Sequence, residues 1–142
     1  MSVAFFAAMI AGWLRGGHPE RFAVAALLLG QLVIDNTYDD WLIGDVYMDS
    51  AIEDVLKTLF FGWLVFRLDR WWPFVVTVAM VLTVLVHILT IVTDISWAAA
   101  VSARVGLELL AYLALLGGVA ERWMAGEAPV SRIGRDRRGV AL

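Results

Sequence analysis

Four ionisable residues lie within long apolar stretches of the sequence. They are Lys57, His87, Arg104 and Glu108. A charged side chain costs about 2.5–3.5 kcal/mol at the centre of a membrane helix, so such residues usually face the protein interior and often serve an ion, a proton or a small polar ligand. The simpler alternative is an ion-pair network that only fixes how the helices pack. We favour that alternative, because the three charged residues have partners of opposite sign nearby in the sequence.

The spacing of these residues predicts ion pairs within single helices. Glu53 and Lys57 are four residues apart, and so are Arg104 and Glu108. Residues at this spacing lie on one face of a helix, within reach of each other. Lys57, His87 and Arg104 each lie about seven residues, or about 10 Å along the helix axis, from the same side of the predicted bundle. We therefore expect a single polar layer.

Further polar residues extend this layer into a candidate cluster. In the fourth apolar stretch, polar residues recur at intervals of 4, 3 and 4 from Thr83 to Asp94, which predicts a polar stripe on one helix face. Gln31 and Asp35 repeat the spacing in the second stretch. We predict that the cluster opens toward the outer side of a membrane. Its members are Gln31, Asp35, Glu53, Asp54, Lys57, Thr83, His87, Thr90, Asp94, Arg104 and Glu108.

Five apolar stretches must position this cluster. Apolar residues make up 61% of the 142-residue chain and charged residues only 18%, too few to cover a soluble domain of this size. The stretches run over 3–14, 22–34, 51–66, 71–93 and 97–123. The last two can cross a hydrocarbon core of about 30 Å, whereas the first reaches only about 18 Å. We predict an all-α integral membrane bundle of four or five transmembrane helices with short turns over residues 1–124, followed by a basic, disordered tail over 125–142.

Basic and acidic residues are predicted to lie on opposite sides of the membrane. The stretch 35–54 contains seven acidic residues and no Lys or Arg, and we interpret it as a solvated loop because it lacks the ligand order of a calcium loop. Cytoplasmic loops collect Lys and Arg. We therefore expect a bacterial inner-membrane protein with a cytoplasmic C-terminus and an external acidic loop. The basic residues of the cytoplasmic side are Arg15, Arg21, Arg67, Arg70, Arg122, Arg132, Arg135, Arg137 and Arg138.

Small residues on the last stretch predict close helix packing. Ala98, Ser102 and Gly106 recur every four residues, which allows two helix backbones to approach. We expect this face to pack within the chain, with a homo-oligomer or a membrane-protein partner as the alternative. Gly117 and Gly118 are interpreted as a bend. The expected partner is the lipid bilayer, with tail arginines near anionic lipid. The net charge of −3 gives no reason to expect nucleic acid.

Two short motifs carry a resemblance. The run RGGHPER precedes the second helix, and RLDRWWPF joins the third to the fourth, followed by His87, Asp94 and the SWA of residues 96–98. These features resemble small uncharacterised polytopic proteins of bacterial inner membranes, a group without an assigned activity. The resemblance implies an inner-membrane location and no catalysis.

Motifs of known chemistry are missing from the sequence. It contains no HExxH, no G-x-S-x-G, no phosphate-binding loop and no cysteine. We therefore expect no catalytic, metal or cofactor site, and a non-enzymatic accessory or interaction protein. The alternative is a small ligand-binding or transport protein that uses the polar cluster.

Overall fold

A computed structural model describes residues 3–36, 42–43 and 46–127 of the chain. These residues confirm the all-helical prediction, since each apolar stretch forms one helix and a two-residue hairpin is the only strand pair among them. The predicted tail lies outside the described residues from residue 128 onward. The elements are α1 Val3–Arg15, α2 His18–Asn36, β1 Leu42–Ile43, β2 Val46–Tyr47, α3 Met48–Arg67, α4 Trp71–Val92 and α5 Trp97–Met124.

Short turns join most of the helices, as predicted. Two glycines, at positions 16 and 17, separate α1 from α2, and residues 68–70 separate α3 from α4. Pro73 lies in the first turn of α4, where a missing N–H costs no helical hydrogen bond. Ser96 caps α5, since its hydroxyl oxygen accepts the N–H of Ala99. Each turn therefore has a local cause in the sequence.

The helices pack as an up-and-down bundle with α1 returning against α5. The ring of Phe5 lies 5.5 Å from that of Tyr112, and Gly17 lies against the guanidinium group of Arg122, so α1 runs parallel to the second half of α5. We call the side that holds the α1–α2 turn, the α3–α4 turn and the end of α5 the basic end. The opposite side, with the α2–α3 connection and the α4–α5 turn, is the acidic end.

Apolar side chains fill the half of the bundle toward the basic end. Trp72 is fully buried there, together with Phe61 and Leu115. A Cβ atom at Gly118 would lie 2.3 Å from Cδ1 of Trp72, and one at Gly117 would lie 2.8 Å from the ring of Trp71. The helix α5 continues through both glycines, which make room for the two indole rings of α4, and a bend of its axis at this point stays a prediction.

Among the described helices, two are long and apolar enough to cross a membrane. They are α4, with 22 residues and a mean hydropathy of 2.7 in its most apolar window, and α5, with 28 residues and 1.6. Only 28% of each window is buried inside the bundle. Large side chains of α4 such as Phe74, Leu85 and Ile91 are exposed. The two helices thus direct apolar surface outward, as helices in contact with lipid do.

The small-residue face of α5 also points outward. Ala98, Ser102 and Gly106 are exposed, and no atom lies within 4 Å of a Cβ built on Gly106. The expectation that this face packs within the chain is therefore wrong for the described residues. The reason is the rotation of α5, which directs the face carrying Arg104 and Tyr112 into the bundle instead.

Candidate functional site

Asp54 on α3 is the centre of the polar cluster. Its Oδ2 atom lies 2.9 Å from Nε2 of His87 on α4 and 3.8 Å from Nη2 of Arg104 on α5. Its Oδ1 atom lies 3.7 Å from Nζ of Lys57. Asp54 and His87 are both buried. The predicted single layer of Lys57, His87 and Arg104 is confirmed, because one carboxylate reaches all three.

Glu53 and Lys57 form the predicted ion pair within α3. Nζ of Lys57 lies 2.5 Å from Oε1 of Glu53. The pair presses against the backbone of α2, since a Cβ atom at Gly30 would lie 2.2 Å from Oε1 of Glu53 and 3.0 Å from Cε of Lys57. A glycine at position 30 thus lets α2 approach this pair without displacing either side chain.

The predicted ion pair between Arg104 and Glu108 is not formed. Nη2 of Arg104 instead donates to Oγ of Ser50 at 2.6 Å, and Oε1 of Glu108 accepts the hydroxyl hydrogen bond of Tyr112. The bundle supplies Ser50 and Asp54 on the side of α5 that faces α3, and Arg104 turns toward them. Glu108 bonds in the other direction, one turn further along α5.

A cavity of about 280 Å³ lies among these side chains. Four helices line it, with Gln31 on α2, Lys57 on α3, Thr83 on α4 and Glu108 on α5 among the polar contributors. Its floor toward the basic end is formed by Leu27, Met80 and Tyr112, next to the apolar core. His87 lies behind Asp54 and fixes it from α4. The predicted members that line the cavity are Gln31, Glu53, Asp54, Lys57, Thr83, Arg104 and Glu108.

Two further predicted members, Thr90 and Asp94, lie away from the cavity. The hydroxyl of Thr90 donates to the carbonyl oxygen of Val86 on its own helix. Asp94 is exposed in the α4–α5 turn, because α4 ends at Val92 and the helical periodicity stops there. The predicted stripe is therefore correct for Thr83 and His87 only. The side chain of Asp35 lies outside the described part of the chain.

Sequence reasoning missed two contributors to the site. Ser50 and Tyr112 both line the cavity and hold Arg104 and Glu108, respectively. Their signal was present as spacing, since Ser50 lies four residues before Asp54 and Tyr112 four residues after Glu108. Residues at that interval share a helix face. Extending each polar stripe by one turn finds both.

A second charged network ties the helices together at the basic end, and it was not predicted. Glu20 is only 1% exposed, accepts the backbone N–H of Gly17 at 2.8 Å and lies 3.6 Å from Nε of Arg122. Arg70 in the α3–α4 turn pairs with Glu121 and Glu127 at the end of α5. We call these five side chains the basic-end network. Its members come from three different chain segments, so no single sequence interval reveals it.

The exposed member of this network has a shifted pKa. The hydrogen bond from Arg70 holds the pKa of the Glu127 carboxyl below its usual value, and Arg122 adds to the effect. The same hydrogen bond raises the pKa of Arg70. Both groups are therefore charged at neutral pH.

No family model, curated protein or solved structure matches this chain. Among the described residues, no group of three or more His, Cys, Asp or Glu side chains is arranged to hold a metal ion.

Proposed function

We propose that this chain is a multi-pass membrane protein that binds a small polar ligand in the cavity near its acidic end. The observation that carries the proposal is a volume of about 280 Å³ lined by charged side chains from α3 and α5, by Thr83 of α4 and by Gln31 of α2. That volume is close to the lower limit of small-molecule sites, about 300 Å³. Convergent polar groups from several helices are typical of ligand sites within helical bundles.

The membrane arrangement that best fits this function has four spans, α2 to α5. At 1.5 Å per residue, α3 with 20 residues and α2 with 19 reach about 30 Å and 28 Å. The 13 residues of α1 reach about 20 Å and lie along the half of α5 toward the basic end. The arginines of the basic end support a cytoplasmic position in a bacterial inner membrane. The cavity then faces the external side.

Binding is favoured over passage across the membrane. Below the cavity, the described part of the bundle is filled by the buried side chains of Val24, Phe61, Val76 and Leu115. Buried apolar side chains offer no hydrogen-bond partners to water, and protein interiors of this kind are packed as closely as organic crystals. A transport cycle would have to open this core, whereas binding requires only the cavity that is already formed.

A cavity-filling substitution tests the proposal. We would screen amines, carboxylates, phosphates and zwitterions for thermal stabilisation of the purified protein, and repeat the screen on Val101→Phe, which places a larger side chain in the lining. Leu109→Phe, on the exposed side of α5, is the matched control. A ligand at 100 times its Kd stabilises by about 2.7 kcal/mol. Stabilisation of the wild type and Leu109→Phe, but not of Val101→Phe, is expected.

Two results would contradict ligand binding. One is an equal response of Val101→Phe and Leu109→Phe to every compound that stabilises the wild type. The other is no response of the wild type to any class, combined with melting temperatures for Glu108→Gln and His87→Ala that fall without any other effect. The cluster would then act only in packing.

A second candidate function is that of a non-enzymatic accessory protein that associates with another transmembrane helix. The exposed small residues Ala98, Ser102 and Gly106 favour it, because they let a second helix approach α5 closely. Gly106→Leu would weaken such an association, measured as loss of a cross-linked or co-purified species. Gly62→Leu on α3 is the control. Unchanged association in Gly106→Leu would count against this function.

A further inference from the structure

Two charged side chains of α5 indicate which ligand the cavity takes. Arg104 and Glu108 are four residues apart and both line the cavity, yet their side chains are held in different directions, by Ser50 and by Tyr112. At this spacing the Cβ atoms are about 5–6 Å apart. A cation and an anion thus face one volume at short separation without neutralising each other.

Arg104 keeps donor groups for an anion. One hydrogen bond to Ser50 uses only one of the five N–H groups of a guanidinium, and the side chain is 32% exposed. The planar fork of Arg matches the paired oxygens of a carboxylate or a phosphate. Asp54 lies 3.8 Å from Nη2 of Arg104 and holds this group at the edge of the cavity. Arg104 is therefore placed to bind an anionic group of a ligand.

Two carboxylates keep acceptor atoms for a cation. Glu53 has a side chain only 9% exposed, and its buried Oε2 atom meets no hydrogen-bond donor in the described part of the chain. Tyr112 bonds to Oε1 of Glu108, and Glu108 is exposed at the cavity. Buried polar atoms are nearly always hydrogen-bonded, so an acceptor without a donor points to a missing partner. An ammonium group supplies three N–H donors and a positive charge.

The cavity presents charges of both signs, as this division requires. Glu53, Asp54 and Glu108 bring three carboxylates, whereas Lys57 and Arg104 bring two fixed positive charges. A ligand with one cationic and one anionic group satisfies both sets of free atoms at once. A simple anion would leave Glu53 without a donor, and a simple cation would leave the donors of Arg104 unused.

We propose that the cavity binds a small zwitterion, a primary ammonium joined through a short spacer to a phosphate or carboxylate. The ammonium lies at Glu53 and Glu108, and the anionic group lies at Arg104. This inference rests on the proposed ligand-binding function and names its ligand class. The zwitterion has two sources, a free solute or the ethanolamine phosphate headgroup of a membrane lipid.

The first experiment compares whole and divided ligands. The full chain in an uncharged detergent is titrated with phosphoethanolamine, glycine, ethanolamine and inorganic phosphate, and binding is measured by calorimetry. Native mass spectrometry from mixed vesicles compares retention of phosphatidylethanolamine with that of phosphatidylglycerol. We expect a zwitterion to bind at least ten-fold more tightly than either single-charge probe. Tight binding of phosphoethanolamine or glycine identifies a solute, and selective retention of phosphatidylethanolamine alone identifies the lipid headgroup.

Uncharged variants separate the two halves of the site. Glu108→Gln is expected to weaken zwitterion binding at least ten-fold while phosphate binding is unchanged. Arg104→Gln is also expected to weaken zwitterion binding at least ten-fold, while ethanolamine binding is unchanged. Glu127→Gln, at the other end of the bundle, should bind as the wild type does. If Arg104→Gln does not fold, the exposed position of Glu108 keeps the test available.

Three outcomes would overturn the inference. Phosphate or ethanolamine alone could bind as tightly as the zwitterion, or Glu108→Gln could bind the zwitterion as the wild type does. A third outcome is that only a ligand of another class binds, in which case the ligand class is wrong and the binding function stands. If no probe of any class binds, the binding function fails as well.

Discussion

The two charged regions of this bundle contain similar residues but differ in what those residues do. At the basic end, Glu20 and Arg122 join the α1–α2 turn to the end of α5. Arg70 joins the α3–α4 turn to the same place through its ion pair with Glu127. At the acidic end, the carboxylates of Glu53 and Asp54 instead surround a cavity, with Glu108 exposed beside it. Charges that join helix ends fasten the fold, whereas charges that surround an open volume can bind. The two regions should therefore respond differently to substitution.

The largest effect is expected for Asp54→Ala. This change removes the carboxylate that His87, Lys57 and Arg104 share, and leaves the buried ring nitrogen of His87 without its partner, whereas Lys57 keeps Glu53 and Arg104 keeps Ser50. Breaking a buried pair costs about 3–5 kcal/mol. The measurement is unfolding by SDS in mixed micelles, followed by helical circular dichroism. Asp94→Ala, in the exposed turn, is the control and should change stability by less than about 0.5 kcal/mol. Equal stabilities would show that Asp54 is not the centre of the cluster.

Glu20→Ala should lower stability while ligand affinity is unchanged. The substitution leaves the buried N–H of Gly17 without an acceptor and Arg122 without one of its two carboxylate partners, at a cost of about 2 kcal/mol. Glu20→Gln keeps an acceptor and should recover part of the loss. Stability and binding are measured on the same preparation. Loss of binding with intact stability would contradict the assignment of a purely stabilising role to the basic-end network.

Gly30→Ala should lower the stability of the protein by a smaller amount, through a contact at the acidic end. The added methyl group meets Oε1 of Glu53 at 2.2 Å, so α2 or the Glu53–Lys57 pair must shift, at a cost of about 1–2 kcal/mol. Gly106→Ala is the matched control, because its Cβ meets open space and should be neutral or slightly stabilising. Thermal unfolding compares the two. If both behave alike, the close approach of α2 to Glu53 is not present in solution.

The smallest effect is a pH dependence at the basic end. Because Arg70 holds the pKa of Glu127 below its usual value of 4.5, the pair contributes at pH values above 4.5 and is lost as the pH falls through the lowered pKa. Nuclear magnetic resonance of the Arg70 guanidinium should report this loss between neutral and acidic pH. Glu127→Gln should remove the transition. A transition that persists in Glu127→Gln would assign it to another carboxyl group.

Intervals within one helix predicted the site only in part. The pair of Glu53 and Lys57 follows from their spacing, and so does the burial of Thr83 and His87. The same rule failed for Arg104 and Glu108, because Ser50, Asp54 and Tyr112 compete for them. It failed for Asp94 because α4 ends first. A spacing rule considers partners on one helix only, whereas in a bundle each side chain also meets partners on the neighbouring helices.

The sequence by itself determined five helices, their short turns and the separation of basic from acidic ends. These features depend on apolar content and local backbone preference, which each segment carries alone. Only the tertiary structure decided that Asp54 is shared by three basic groups, that Gly117 and Gly118 receive the indoles of α4, and that a cavity lies between α2 and α5. Such features depend on the rotation of each helix about its axis, which is set by contacts between segments that are distant in sequence.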